Sequence, residues 1–226
     1  MTRPTRLLAL LLVAAAGNAG GLLAQVAGLP VRNAGVGTGF GIAADVGFPS
    51  ASAGKGTAFG GTGSVGFGPL GFTASVATWD PDGSAERLTS VGATGNVKII
   101  GGPLIPLSVT LQAGAGYNKV TAGSALEQTT TQRLHLPVGV GIALTIPNPV
   151  FSIKPWVAPR LHVLRTTIES DTPAETHTDA DFGISGGIDL GFLNGLTIRA
   201  MYDRVFRGEG NAPSVLSVGL GFKVGS

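Results

Sequence analysis

From residue 36 onward, apolar side chains recur at every second position, the period of a two-faced β-strand rather than a helix. Residues 133–147 are the sharpest case. Leu134, Leu136, Val138, Val140, Ile142, Leu144 and Ile146 make one unbroken aliphatic face, and Arg133, His135, Pro137, Gly139, Gly141, Ala143 and Thr145 make the other. Ten such segments are predicted, at 36–48, 57–68, 71–80, 88–100, 107–119, 132–146, 152–166, 181–192, 196–206 and 214–224. Most run to about 10–14 residues, roughly twice the usual strand length.

The connections alternate in length. "GPLG", "GGPLIP", "PNPVF" and "LNG" are short, whereas "PSASAGKG", "PDGSAER", "TAGSALEQTTT", "ESDTPAETHTDA" and "RGEGNAP" are longer and more polar. Asn194-Gly195 predicts a two-residue type I′ turn. A hairpin centred between Asn148 and Pro149 would set His135 directly opposite His162. The pattern describes an object with tight turns at one rim and polar loops at the other.

Alternation alone leaves open which face meets water, and composition bears on that. Glycine accounts for 37 of 226 residues and charged residues for 12%. The second face carries Gly114, Gly116, Gly139, Gly141, Gly219 and Gly221. A soluble surface needs abundant mixed charge, so the aliphatic face is assigned to lipid and the glycine-rich face to a narrow lumen. In lipid every backbone polar group must be paired, and a sheet there must close. The prediction is an all-β fold: a closed antiparallel up-and-down transmembrane β-barrel of about ten strands, with eight as the alternative count. Aromatic girdles are expected at both rims. Phe67, Phe72, Phe192 and Phe222 fall toward the short turns, and Phe48, Phe59, Trp79, Tyr117, Phe182, Tyr202 and Phe206 toward the long loops.

The N-terminus reads as a secretory signal peptide over residues 1–24: a basic start with Arg3 and Arg6, the apolar run "LLALLLVAAA", then small residues, with cleavage after Ala19 or Ala24. Residues 25–35 read as a linker and 36–226 as the barrel. Taking Arg3 and Arg6 from the 15 basic residues leaves 13, equal to the 13 acidic ones. That balance offers no basic stripe for nucleic acid. The chain has no cysteine, which excludes disulfides and thiolate metal sites.

Together, the signal segment, the glycine-rich amphipathic strands, the tight turns at one end and the terminal strand "SVLSVGLGFKVGS" resemble the small outer-membrane β-barrel proteins. These are the OmpX-like and OmpA-barrel-like proteins and the opacity-type surface antigens. The resemblance covers nearly all of the chain after the signal segment. It implies residence in a bacterial outer membrane, contact with outer-membrane lipid and lipopolysaccharide, and insertion by the barrel-assembly machinery. That machinery reads a terminal aromatic in the family; here Phe222 stands four residues before Ser226.

The polar residues expected in the lumen are Asp45, Lys98, Gln112, Arg133, His135, Lys154, Arg160, His162, Asp189, Arg199, Asp203 and Lys223. Two histidines are too few for a zinc site, so no metal, cofactor or catalytic set is assigned. His177, among Glu169, Asp171, Glu175 and Asp179, reads as part of a solvated acidic loop. The expected function is non-catalytic: a membrane protein with a side-chain-filled lumen that presents polar loops outside. The alternatives are a narrow anion-leaning channel and a rim-located lipase or protease.

Overall fold

The structure, a computed structural model, describes residues 26–32, 35, 37–83, 87–102, 105–124, 127–170, 173–207 and 212–225. The expected signal peptide lies outside the described residues. Ten strands follow in sequence: β1 Gly39–Pro49, β2 Thr57–Phe67, β3 Leu70–Asp80, β4 Leu88–Gly102, β5 Ile105–Ser124, β6 Glu127–Leu144, β7 Phe151–Glu169, β8 Glu175–Phe192, β9 Leu196–Phe206 and β10 Ser214–Val224. After a break at Thr145, Ile146–Pro147 continues the line of β6. Each strand pairs antiparallel with the next, and β1 returns to pair with β10 from Phe40↔Val224 to Pro49↔Val215. The sheet closes into the ten-stranded barrel.

The alternation sorts the side chains as expected. Phe40, Ile42, Phe72, Val91, Leu111, Val138, Leu161, Ile188, Leu220 and Phe222 stand outward and exposed. On β6, Arg133, His135, Pro137, Gly141 and Ala143 turn inward, and Leu136, Val138, Ile142 and Leu144 turn outward. Trp79 departs from the girdle assignment. It shares the parity of inward-facing Thr73, Ser75 and Ala77, lies buried, and donates its Nε1–H to Lys55 O at 2.8 Å.

Three prolines lie inside ladders, where a missing N–H removes a backbone bond. The interruptions of pairing match them. Pro137 falls in the gap between Ala113↔Val138 and Gly116↔His135. Pro159 falls between Gly139↔Arg160 and Ile142↔Val157, and Pro155 between Ala143↔Trp156 and Ile146↔Ile153. A closed barrel has no edge on which to place a proline, so the cost appears as a local gap.

The turns differ from expectation in detail. The β6–β7 hairpin centres between Pro149 and Val150, with Asn148 N–H donating to Phe151 O at 2.9 Å and Val150 N–H to Asn148 Oδ1 at 3.2 Å. His135 therefore pairs with Leu164, and His162 with Pro137. The offset is two residues, so both rings keep their inward parity. The β8–β9 connection is the three-residue Leu193–Asn194–Gly195, not a type I′ pair. Only Gly195 takes positive φ, at 86°, and Asn194 Oδ1 instead accepts the Leu196 N–H.

Two expected long loops are mostly strand. Beyond Asn118, where pairing with β4 ends, β5 runs on to Ser124 against β6. Likewise β8 begins at Glu175, well before pairing with β9 starts at Phe182. Hydroxyl pairs bridge these extensions, Thr121–Thr130 at 3.1 Å and Thr167–Thr176 at 3.3 Å. Gln132 donates to Glu169 at 3.0 Å, which ties β6 to β7. A four-stranded polar wall thus rises above one side of the barrel. Its residues carry no apolar alternation because both faces meet water, so periodicity could not reveal it.

Candidate functional site

The lumen collects the polar residues of the chain. Nine of the twelve expected there are buried: Asp45, Gln112, Arg133, His135, Arg160, His162, Asp189, Arg199 and Asp203. Lys98 and Lys154 are half-buried and Lys223 is exposed, all three toward the short-turn rim.

Buried charges need partners, and the ladders bring them within reach. Arg199 Nε donates to Asp45 Oδ1 at 2.6 Å, and its Nη2 reaches Asp45 Oδ2, making a two-point contact across β10. Arg160 Nη2 donates to Asp203 Oδ1 at 2.5 Å. Nearer the long-loop end, Arg207 Nε lies 3.4 Å from Asp181 Oδ2. Many lumen glycines make room for these side chains. A Cβ at Gly219 would stand 2.0 Å from Asp45 Oδ1, and one at Gly139 would stand 2.6 Å from Arg160 Cβ.

The segment read as a linker lies inside this lumen. Val26, Ala27, Leu29 and Val31 are buried. Ala27 N–H donates to Ser90 Oγ at 2.7 Å, Val31 N–H to Asp203 Oδ2 at 2.8 Å, and Arg32 Nη2 to Asp189 Oδ2 at 2.8 Å. Val26, Ala27 and Leu29 pack with Ala58, Ala77, Trp79 and Leu88 into a small apolar core within the barrel. The segment enters beside Trp79 and Leu88, near the long-loop end, and descends past Asp203 and Asp189. It reaches β1 at the short-turn rim. Gly47 and Gly60 form its groove: a Cβ at Gly47 would meet Gly28 O at 2.1 Å, and one at Gly60 would meet Leu29 Cδ1 at 2.2 Å. The sequence signal for this plug was slight, the apolar residues Val26, Leu29 and Val31 before Arg32.

The two inward histidines touch. His135 Nδ1 and His162 Nε2 are 3.0 Å apart, with ring centroids at 5.3 Å. One nitrogen must donate and the other accept, so the contact requires that the two rings not both be protonated. Gln112 lies four residues down β5 from Gly116, the residue opposite His135, and does not join the pair. Among the described residues, no group of three His, Cys, Asp or Glu side chains is placed to hold a metal. His177 pairs with Asp179 at 2.9 Å on the open face of the polar wall, with both side chains exposed.

No protein-family model matches the chain, and no curated protein matches its sequence. Solved structures similar to it are outer-membrane β-barrel proteins. The outer-membrane protease OmpT from Escherichia coli aligns at 8% identity over 83% of this chain and 94% of its own, with a TM-score of 0.48. Ail, the attachment invasion locus protein of Yersinia pestis, aligns at 10% identity over 83% and 99%, with a TM-score of 0.43. Neisserial surface protein A aligns at 16% identity over 83% and 98%, with a TM-score of 0.39. What is established for this chain is its architecture, a closed ten-stranded antiparallel barrel with an outward aliphatic belt and a filled polar lumen.

Proposed function

We propose that the protein is a non-catalytic integral protein of a bacterial outer membrane, with a barrel closed by its own N-terminal segment and a polar strand-built wall held outside. The observation that carries this reading is the plug. Residues 26–32 occupy the lumen through three hydrogen bonds to barrel side chains and an apolar core of their own. The exposed aliphatic belt supports lipid as the surrounding medium. The wall formed by β5–β8 stands at the long-loop end, the end directed outward in barrels of this kind, where it would meet lipopolysaccharide and whatever lies beyond it. Insertion would use the barrel-assembly machinery, with Phe222 as the terminal aromatic.

Planar-bilayer recording tests the closed state. The intact protein is expected to give no discrete openings, and steady single-channel steps would favour the anion-leaning channel instead. Hydrolysis of outer-membrane lipid or cleavage of peptides, lost on His177→Ala, would favour a rim enzyme. Heat-dependent migration in detergent gels checks the barrel, and solubility without detergent would contradict the lipid assignment.

A further inference from the structure

A cation interrupts the lipid-facing side of β9. The outward residues of that strand are Leu196, Ile198, Ala200, Tyr202, Arg204 and Phe206, and Arg204 is exposed between the two aromatic rings. Its ladder partners are Ile184 on β8 and Ser214 on β10. The next outward residues on those strands, Phe182 and Leu216, are exposed and apolar. Asp203, the neighbour of Arg204 in sequence, points into the lumen and is taken by Arg160. None of the ion pairs among the described residues includes Arg204. Its guanidinium lies instead over the Phe206 ring, with Cζ 5.3 Å from the centroid, and Phe206 stacks on Phe182 at 6.0 Å with the planes 23° apart. Stacking of this kind holds a long side chain against the wall. A charge on a lipid-facing strand is costly unless it lies at headgroup depth and meets an anion or water there. The aromatic residues around Arg204, at the long-loop rim, fit that depth.

Resting on the outer-membrane reading above, we propose that Arg204 docks the phosphate of a membrane-lipid headgroup at the long-loop rim. A guanidinium stacked on a ring by its face keeps its edge free, and that edge presents parallel N–H donors to two oxygens of one phosphate. Ser214, outward by its place in the alternation and directly opposite in the ladder, offers a hydroxyl donor beside it. On the membrane side of the site, Tyr202 and Leu216 continue the apolar belt. The chains of a lipid held by its phosphate would run down over those two residues. A free phosphate would leave them uncovered, so the site favours a lipid.

The test is titration of the folded protein, in a sugar-based detergent, with dioctanoyl phosphatidic acid, read by native mass spectrometry. Dioctanoylglycerol, the same lipid without its phosphate, is the control. Saturable binding is expected with phosphatidic acid only. Arg204→Gln should weaken it roughly tenfold, and Arg204→Lys, which keeps the charge but loses the planar fork, about threefold. The lysine variant keeps the test decisive if the glutamine variant fails to fold. Arg87→Gln removes a cation of the same rim that is paired with Asp80, and should leave binding unchanged. Equal binding of the two lipids, undiminished binding by both Arg204 variants, an equal loss on Arg87→Gln, or displacement by inorganic phosphate at the lipid's own concentration would overturn the proposal. Heat-dependent migration, followed in parallel, reports the barrel separately. Its persistence without lipid binding rejects the phosphate site alone, whereas its absence from the parent protein rejects the outer-membrane reading.

Discussion

Arg160 on β7 and Asp203 on β9 meet at 2.5 Å across the intervening strand β8, with both side chains wholly buried, and the second oxygen of Asp203 receives the Val31 N–H of the plug. One carboxylate therefore ties the barrel wall to the segment that fills it. Asp203→Asn removes the counter-ion of a buried guanidinium and weakens the plug contact together. The expected loss is about 3–5 kcal/mol, measured by urea unfolding in lipid vesicles. Arg160→Met combined with Asp203→Leu should recover much of that loss, because neither buried charge then remains.

The plug is sensitive to the size of its groove. Gly47→Val puts carbon atoms where Gly28 O and Leu29 now stand. The barrel ladder does not depend on Gly47 lacking a side chain, so heat-dependent migration should persist while the plug leaves its seat. The chain has no cysteine of its own, so a Leu29→Cys reporter reads this cleanly. Maleimide should label it slowly in the parent barrel and rapidly alongside Gly47→Val. Equal rates would contradict a seated plug.

Deletion of residues 26–32 makes a second prediction for the same segment. The emptied lumen keeps the Arg199–Asp45 and Arg160–Asp203 pairs but loses its central apolar core. Discrete openings should appear in planar bilayers, with a preference for anions set by the lysines at the mouth.

The histidine pair should behave as a unit. His135→Leu leaves the buried His162 Nε2 without its partner and is expected to cost about 1–3 kcal/mol. The double replacement with His162→Leu should cost less than the two single changes together. A double-mutant cycle by urea unfolding measures the coupling, and strict additivity would mean the 3.0 Å contact contributes nothing.

The polar wall predicts a dispensable extension. Because Lys119 pairs with Gln132, replacing residues 120–131 by a tight turn shortens one hairpin and takes from the β6–β7 ladder only its outermost pairs, Thr130↔Glu169 and Thr131↔Ile168. Heat-dependent migration should be retained. Failure to fold would mean that the extension supports the barrel.

Residue pattern alone pointed to about ten strands and gave the inward and outward faces and most of the lumen set, because a closed two-faced sheet writes its period of two directly into the chain. Asp45, Arg160, Asp189, Arg199 and Asp203 were legible as inward charges for the same reason. His135 and His162 were legible as a pair on parity, although the register that joins them is offset by two residues from the one expected. Turn geometry was less legible, since Asn148 and Asn194 use their side chains to cap neighbouring N–H groups in ways that spacing does not specify.

Tertiary structure decided three things. The polar wall exists because hydrogen-bonded ladders continue where both faces meet water and apolar alternation has no reason to persist. Ion-pair partners depend on how the register sets residues two strands apart, a relation no local pattern carries. The segment read as a linker became the plug because Val26, Leu29 and Val31 bury their side chains only against residues more than fifteen positions away, on strands that must close before there is an interior to fill.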